Sequence, residues 1–202
     1  MPKLAFLVSD LQQTGADPKV SDLVRANFVL GEAQKMVRDG ICLRFKKWPR
    51  SELNKEFWTA SVHDASWANL RDFGSQQGQL TGITTEQIKK GPAPIHILDW
   101  GSSKVHRKVK STMASESATA SYAYDRGVYC RAIIADLIDG SDRADKWNQR
   151  VLRVPQIMAT DCRSLVEHIN KTGSTCSEKR VALDITDIRE GIDTGCVHMD
   201  AY

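Results

Sequence analysis

A chain of 202 residues with 41% hydrophobic and 26% charged residues has the composition of a folded globular protein, which excludes an intrinsically disordered one. No apolar run reaches the roughly 18 residues that a membrane-spanning helix needs, and the N-terminal apolar stretch is too short for a signal peptide. We therefore predict an intracellular protein, in cytoplasm or nucleus, with no membrane partner. The formal net charge of +3 by itself gives little indication of a polyanionic partner.

The N-terminal segment is predicted to form a helix followed by a strand. Apolar residues recur at helical spacing from Leu23 to Val37, and Asp39-Gly40 ends this run. Apolar and polar residues then alternate from Ile41 to Phe45, which is the period of a strand with one buried face. Trp48-Pro49-Arg50-Ser51 interrupts the alternation. We therefore predict a small helix-strand piece, residues 1–54, followed by a main domain, residues 55–202.

The main domain begins with three strand-like segments separated by short turns, a pattern that favours an antiparallel meander. The first segment places four residues on one face: Trp58, Ala60, Val62 and Asp64. A carboxylate thus ends an otherwise apolar row. The second and third segments run over residues 78–84 and 95–100.

A long helix is predicted from Ser111 or Thr112 to about Asp139-Gly140. One face of this helix carries, at spacings of three and four, Glu116, Ala120, Ala123, Gly127, Cys130, Ile134 and Leu137. The small residues would let the helix backbone approach the sheet closely. Glu116 would then point toward the sheet, where a carboxylate costs free energy unless a cation or hydrogen bonds satisfy it.

The last third alternates strand, helix, helix and strand. A short apolar strand over residues 157–160 runs into Asp161, which either belongs to a site or simply caps the helix that follows. Ser177 is predicted to cap a further helix with a buried stripe formed by Val181, Ile185, Ile188 and Ile192. On that helix Asp184, Asp187 and Glu190 are expected to face solvent. A final strand covers residues 196–199.

The order of these elements brings three carboxylates, Asp64, Glu116 and Asp161, toward one edge of a mixed sheet, where sites form at the carboxyl ends of strands. Clustered carboxylates without basic partners repel one another, so the cluster predicts divalent cations, and hard oxygen ligands suit Mg²⁺ or Mn²⁺. Two such ions can activate a water and stabilise the leaving oxygen of a phosphodiester. Asp64 and Asp161 are predicted to hold the two ions, with Asp64 shared, and Glu116 to bind the ion on the leaving-group side or to position the water.

The predicted substrate is nucleic acid, because a basic run precedes the helix that carries Glu116. Solvated loops account for many such runs, but this one would lie where the phosphates of a duplex pass. Its predicted phosphate-binding residues are Lys104, Arg107, Lys108 and Lys110.

Four short motifs of this sequence resemble motifs of the ribonuclease H domain at the end of copia-type retrotransposon polyproteins. They are His63-Asp64-Ala65-Ser66-Trp67-Ala68-Asn69, Asp99-Trp100-Gly101-Ser102-Ser103-Lys104, Ser111-Thr112-Met113-Ala114-Ser115-Glu116 and Ala159-Thr160-Asp161-Cys162-Arg163-Ser164-Leu165. Residues 1–54 resemble the stretch that joins reverse transcriptase to this domain. The resemblance implies an α/β fold with a five-stranded mixed sheet, three antiparallel strands and then strands parallel to the first, flanked by helices. It also implies cleavage of the RNA strand of an RNA·DNA hybrid within a longer polyprotein.

The sequence departs from the family at its C-terminal end, because a fourth acidic residue normally follows the last strand. Asp200 lies directly in or after the last strand, too early in the sequence to replace that residue, so we expect a domain truncated at its C-terminus. Loss of a metal ligand commonly weakens metal affinity and activity, so the sequence leaves catalytic activity in doubt. An inactive retroelement remnant that binds nucleic acid is the alternative. A transposase or integrase core is disfavoured, because those proteins place the Glu last, whereas Glu116 is the second carboxylate here.

Overall fold

The computed structural model describes residues 2–15, 17–45, 47, 56–70, 72–139, 146–171 and 176–202. The boundary predicted at Trp48-Pro49-Arg50-Ser51 lies outside these residues, so the division of the chain at residues 54 and 55 stays a prediction. No helix within the described ranges is long and apolar enough to cross a membrane.

The described strands form one five-stranded sheet. Its strands, β1 to β5, are Phe57–Ser66, Gln76–Thr85, His96–Lys104, Gln156–Thr160 and Val197–Ala201. They lie in the order β3-β2-β1-β4-β5. The first three strands pair antiparallel, whereas β4 is parallel to β1 and β5 is parallel to β4. The predicted fold class, an α/β ribonuclease H-like mixed sheet flanked by helices, is therefore confirmed.

The long predicted helix, α3, spans Thr112–Asp139 and lies against β1 and β2. Its start is fixed by Ser111, whose hydroxyl oxygen accepts a hydrogen bond from the backbone N–H of Ala114 at 3.1 Å. The predicted buried face is correct from Glu116 to Ile134. It is wrong at Leu137, which is 79% exposed, because the last turn of the helix lies outside the core.

Close approach of α3 to the sheet depends on Gly127. A methyl group added at this glycine would overlap the side-chain amide of Gln156 on β4. That amide donates a hydrogen bond to the hydroxyl of Ser61 on β1 at 3.1 Å. The small residue predicted at this position thus makes room for a buried polar contact between helix and sheet.

Three shorter helices complete this side of the sheet; α4, α5 and α6 span Trp147–Val151, Arg163–Asn170 and Lys179–Asp193. Helix α5 begins after Cys162, so Asp161 is not at its N-cap position. Helix α6 has Glu178 at its N-cap position, so the predicted cap at Ser177 is wrong by one residue. No side-chain hydrogen bond caps this helix, so the capping preference of Ser177 does not set its start. The stripe predicted on α6 is buried at Val181, Ile185 and Ile188, and Ile192 is partly buried.

The N-terminal part contains two helices, α1 (Ala5–Gln12) and α2 (Val20–Arg38). Helix α2 was predicted, whereas α1 was not. The strand predicted from Ile41 to Phe45 is wrong: these residues are irregular, and the apolar ones are 39% to 63% exposed. Alternation alone does not make a strand here, because no strand of the described part of the chain pairs with this segment.

Candidate metal centre

Three carboxylates meet at the end of the sheet where β1 and β4 finish. Asp64 lies on β1, Glu116 lies in the second turn of α3, and Asp161 directly follows β4. One oxygen from each carboxylate lies within 4.8 Å of the other two. The parallel register of β1 and β4, in which Val62 is level with Ala159, also brings the two aspartates level. The structure therefore brings together all three residues that the sequence indicated.

Glu116 is the most deeply placed of the three carboxylates. The residue is only 4% exposed, and its Oε2 is buried with no hydrogen-bond partner in the described structure. Burial, followed by the nearby charges of Asp64 and then Asp161, raises the pKa of Glu116 to about 7, although the backbone N–H of Ala65 partly offsets this rise. A buried carboxylate oxygen without a donor is the arrangement that a bound cation would satisfy.

Asp64 shows the same kind of perturbation. Burial, and then the charge of Asp161, raises the pKa of Asp64, while a hydrogen bond from the backbone N–H of Ala65 acts in the opposite direction. Within the described ranges no lysine or arginine forms an ion pair with any of the three carboxylates. The cluster offers only carboxylate oxygens, a donor set that fits Mg²⁺ or Mn²⁺.

Two residues of β5 and its C-terminal end differ in their relation to this cluster. Asp200, the stand-in considered for a fourth acidic ligand, is exposed, pairs with Ala159 across the ladder and is not a member of the cluster. The backbone N–H of Tyr202 donates to the Thr160 carbonyl at 3.1 Å, next to Asp161. Burial and the charges of Asp161, Asp64 and Glu116 raise the pKa of Tyr202. Sequence reasoning missed Tyr202, because its proximity arises from strand pairing and not from a local motif.

His63 lies beside Asp64 on β1 but belongs to the interior. It is 1% exposed, and neither ring nitrogen has a hydrogen-bond partner within the described structure. Burial lowers the pKa of His63 to about 4, so its ring is neutral at physiological pH. It is not one of the clustered residues.

The basic residues predicted to bind phosphate are engaged to different degrees. Lys104 forms an ion pair with Asp72, and Arg107 forms one with Asp184. Lys108 and Lys110 are exposed and form no ion pair within the described ranges.

The pairing of Asp184 with Arg107 corrects one of the predicted solvent positions on α6. The Asp184 side chain is only 11% exposed and also accepts a hydrogen bond from the Ser117 hydroxyl at 3.3 Å. The solvent prediction fails here because α6 packs against α3, which carries Ser117. Asp187 and Glu190 are exposed as predicted.

No family model matches the chain, and no curated protein matches it significantly. Among solved structures, it is similar to the native protease-reverse transcriptase of prototype foamy virus, with a TM-score of 0.41, 12% identity, and coverage of 79% of this chain and 18% of that chain. It is also similar to the foamy viral protease-reverse transcriptase in complex with RNA/DNA hybrid, with a TM-score of 0.35, 8% identity, and coverage of 79% and 18%. The chain therefore spans about a fifth of the length of both proteins. These similarities are too distant to assign a family.

Proposed function

We propose that this chain is a ribonuclease H domain of a copia-type retroelement polyprotein that hydrolyses the RNA strand of an RNA·DNA hybrid. The observation that carries the proposal is the convergence of Asp64, Glu116 and Asp161 within 4.8 Å, with an oxygen of Glu116 buried and unpartnered. The sequence motifs around these residues support the assignment, since they resemble the motifs of that family in order and spacing.

Each carboxylate has a role in this proposal that follows from its position. Asp64 lies on the central strand β1, level with Asp161, so these two side chains would hold the metal ions, with Asp64 shared between them. Bound Mg²⁺ would supply an activated water and charge stabilisation for phosphodiester hydrolysis. Glu116 approaches from α3, where it is buried, and it would bind the ion on the leaving-group side or position the attacking water.

Substrate binding would rest on backbone charge and groove shape, so sequence selectivity should be low. Lys108 and Lys110, which are exposed, would make the stronger phosphate contacts. Lys104 and Arg107 would contribute less, because each would have to give up part of an existing ion pair with Asp72 or Asp184.

A second candidate function is binding of nucleic acid without turnover. One observation favours it: the cluster found among the described residues contains three carboxylates, and Asp200 is outside it. Removal of a group that supports a metal site commonly lowers metal affinity or activity by about 10- to 100-fold. Salt-dependent binding of a hybrid with no hydrolysis would favour this candidate.

The proposal is tested by incubating the chain with an end-labelled RNA·DNA hybrid in Mg²⁺ and, in parallel, in EDTA. We expect Mg²⁺-dependent cleavage of the RNA strand at many positions. Asp64→Asn, Glu116→Gln and Asp161→Asn should each reduce the rate by roughly 100-fold or more. Asp200→Asn is the matched control, because it removes an exposed carboxylate of β5 outside the cluster, and it should retain the parent rate. Absence of Mg²⁺-dependent cleavage by the parent would defeat the catalytic claim.

A further inference from the structure

The loop that joins β1 and β2, described over residues 67–70 and 72–75, holds a large aromatic ring outside the fold. Phe73 is 86% exposed, and its φ of 57° lies in the left-handed region that bulky side chains rarely adopt. The turn is held by hydrogen bonds from the Phe73 N–H to the Leu70 carbonyl at 2.9 Å and from the Leu70 N–H to the Gly74 carbonyl at 3.1 Å. The ring is therefore kept in solvent against both its conformational and its hydrophobic preference, which points to a contact outside the chain.

A cleft of about 450 Å³ lies beside this ring, between the β1–β2 loop and the segment of residues 104–109 that leads toward α3. The two walls are joined by a hydrogen bond from the Val105 N–H to the Ser75 carbonyl at 2.8 Å. Lys104, Arg107 and Lys108 line the cleft, and Lys108 is exposed and has no ion pair within the described structure. The cleft thus combines an available cation with an exposed aromatic ring.

The cleft lies at the same end of the sheet as the carboxylates. Strand β1 ends at Ser66, shortly after Asp64, and continues into the loop that carries Phe73. The opposite wall leads into α3, which carries Glu116. The indole N–H of Trp67, three residues after Asp64 in the chain, donates to the Val109 carbonyl at 3.4 Å and so links the two segments. A polymer bound at the carboxylates would therefore pass the end of the sheet at which the cleft lies.

We infer that this cleft is a nucleotide-binding subsite in which Phe73 packs on a base or sugar and Lys108 neutralises a phosphate of the same strand. The inference rests on the proposed function for the identity of the ligand, a nucleic acid, but requires no hydrolysis. A nucleotide unit combines an anionic group with a flat ring, which matches the cation and the aromatic ring of the cleft. Stacking on an aromatic side chain tolerates every base, so the subsite would add affinity without sequence selectivity.

The test measures binding of a short fluorescein-labelled RNA·DNA hybrid by fluorescence anisotropy in EDTA, which prevents metal-dependent cleavage. Phe73→Asn should raise the Kd by about 5- to 150-fold, the effect expected for loss of one stacked base. Asn tolerates the left-handed region, so the midpoint of thermal unfolding should not fall. Phe73→Trp should bind as the parent does. Phe28→Asn is the matched control, because Phe28 is a 60% exposed aromatic on α2, and this variant should leave the Kd unchanged.

The cation is tested through the salt dependence of the same binding reaction. Lys108→Gln should weaken binding and should reduce the slope of log K against log salt concentration by about one. A Phe73→Asn variant with the affinity of the parent overturns the subsite, and so does a parent that does not bind the hybrid. Poly-glutamate binding with the same dependence on Phe73 also overturns it, because the ligand would then be an acidic polypeptide.

Cleavage by the same preparations in Mg²⁺ separates this inference from the proposed function. A parent that cleaves the hybrid while Phe73→Asn retains full affinity defeats the subsite alone. A parent that binds through Phe73 but never cleaves supports the subsite and defeats the hydrolytic function.

Discussion

Two polar regions of the sheet differ in whether basic groups neutralise their carboxylates. The compensated region surrounds Asp99 on β3, and the uncompensated region is formed by Asp64, Glu116 and Asp161. On β3, Asp99 accepts hydrogen bonds from Arg126 Nε and Nη2 at 2.8 and 2.7 Å and from the Gln79 amide at 2.6 Å. The hydrogen bonds from Arg126 are the largest cause of a lowered pKa of Asp99. At the end of β1 and β4, the carboxylates of Asp64, Glu116 and Asp161 have no basic partner within the described ranges, and the pKa of Glu116 rises to about 7.

The difference shows that this fold does provide basic partners for carboxylates between α3 and the sheet. The Gln79 amide that donates to Asp99 also accepts a hydrogen bond from the Thr81 hydroxyl at 2.9 Å, and the hydroxyls of Thr81 and Ser61 share a further hydrogen bond at 3.0 Å. Asp64, Glu116 and Asp161 have no such basic partner among the described residues, and their clustered oxygens could bind a cation.

The largest loss of stability is expected from a steric clash introduced between α3 and the buried hydrogen bonds of the compensated region. Gly127→Val would push the Gln156 amide away from Ser61, and we expect it to lower the free energy of unfolding by about 2–4 kcal/mol. Urea unfolding followed by circular dichroism measures this loss. Gly31→Ala on α2 is the control, since a methyl group there meets nothing within 4 Å, and it should gain up to about 1 kcal/mol. Equal stability of Gly127→Val and the parent would contradict the packing described for α3.

The uncompensated region should respond to pH in the absence of divalent cations. The pKa of Glu116 is raised from 4.5 to about 7 in the folded chain, so its contribution to stability is complete below pH 4.5 and is lost as the pH rises through about 7. We expect the free energy of unfolding in EDTA to fall by roughly 1–3 kcal/mol between pH 5 and pH 8 for this reason. Urea unfolding at the two pH values measures the change, and Glu116→Gln should show a smaller one. A variant with the same pH dependence as the parent would show that Glu116 is not the responsible group.

Addition of a divalent cation should reverse that loss. At pH 8, Mg²⁺ at ten times its dissociation constant should stabilise the fold by about 1.4 kcal/mol, because it binds the folded state and not the unfolded chain. Differential scanning fluorimetry would detect this as a rise in Tm. Asp161→Asn should abolish the rise, whereas Asp200→Asn should keep it. A rise of the same size in both variants would place the cation elsewhere.

The smallest effect is expected from the compensated pair itself. Arg126→Gln should cost about 1 kcal/mol at neutral pH, since both partners are partly exposed. The lowered pKa of Asp99 gives a contribution that is present above its ordinary value and is lost as the pH falls through the folded value. Stability in acid should therefore decline less steeply in Arg126→Gln than in the parent, opposite in sign to the effect at Glu116. A double-mutant cycle with Asp99→Asn isolates the pair, and a coupling of zero would contradict it.

Sequence patterns predicted the sheet well because its signals are local. Alternation in β1 and the turns around residues 74–77 and 91–94 identified three antiparallel strands, and the interruption of apolar rows identified Asp64 and Glu116. The strand predicted from Ile41 to Phe45 has the same alternation but no partner strand in the described structure, and a single strand does not persist without one.

Features that depend on contacts distant in sequence could not be predicted in the same way. The ion pair of Arg107 with Asp184 joins the segment before α3 to α6, and no pattern near either residue indicates it. The proximity of Tyr202 to the carboxylates follows from the pairing of β5 with β4. The left-handed conformation of Phe73 is unusual for its residue type, so propensity argues against it and only the folded turn reveals it.

The most direct test of the carboxylate cluster is anomalous diffraction from crystals of the chain soaked in Mn²⁺. We expect an anomalous peak between Asp64, Glu116 and Asp161, from an ion coordinated by oxygens of all three side chains, and no such peak in crystals of Asp64→Asn. Crystals with well-ordered carboxylates and no Mn²⁺ between them, or with Glu116 turned away from the two aspartates, would contradict it.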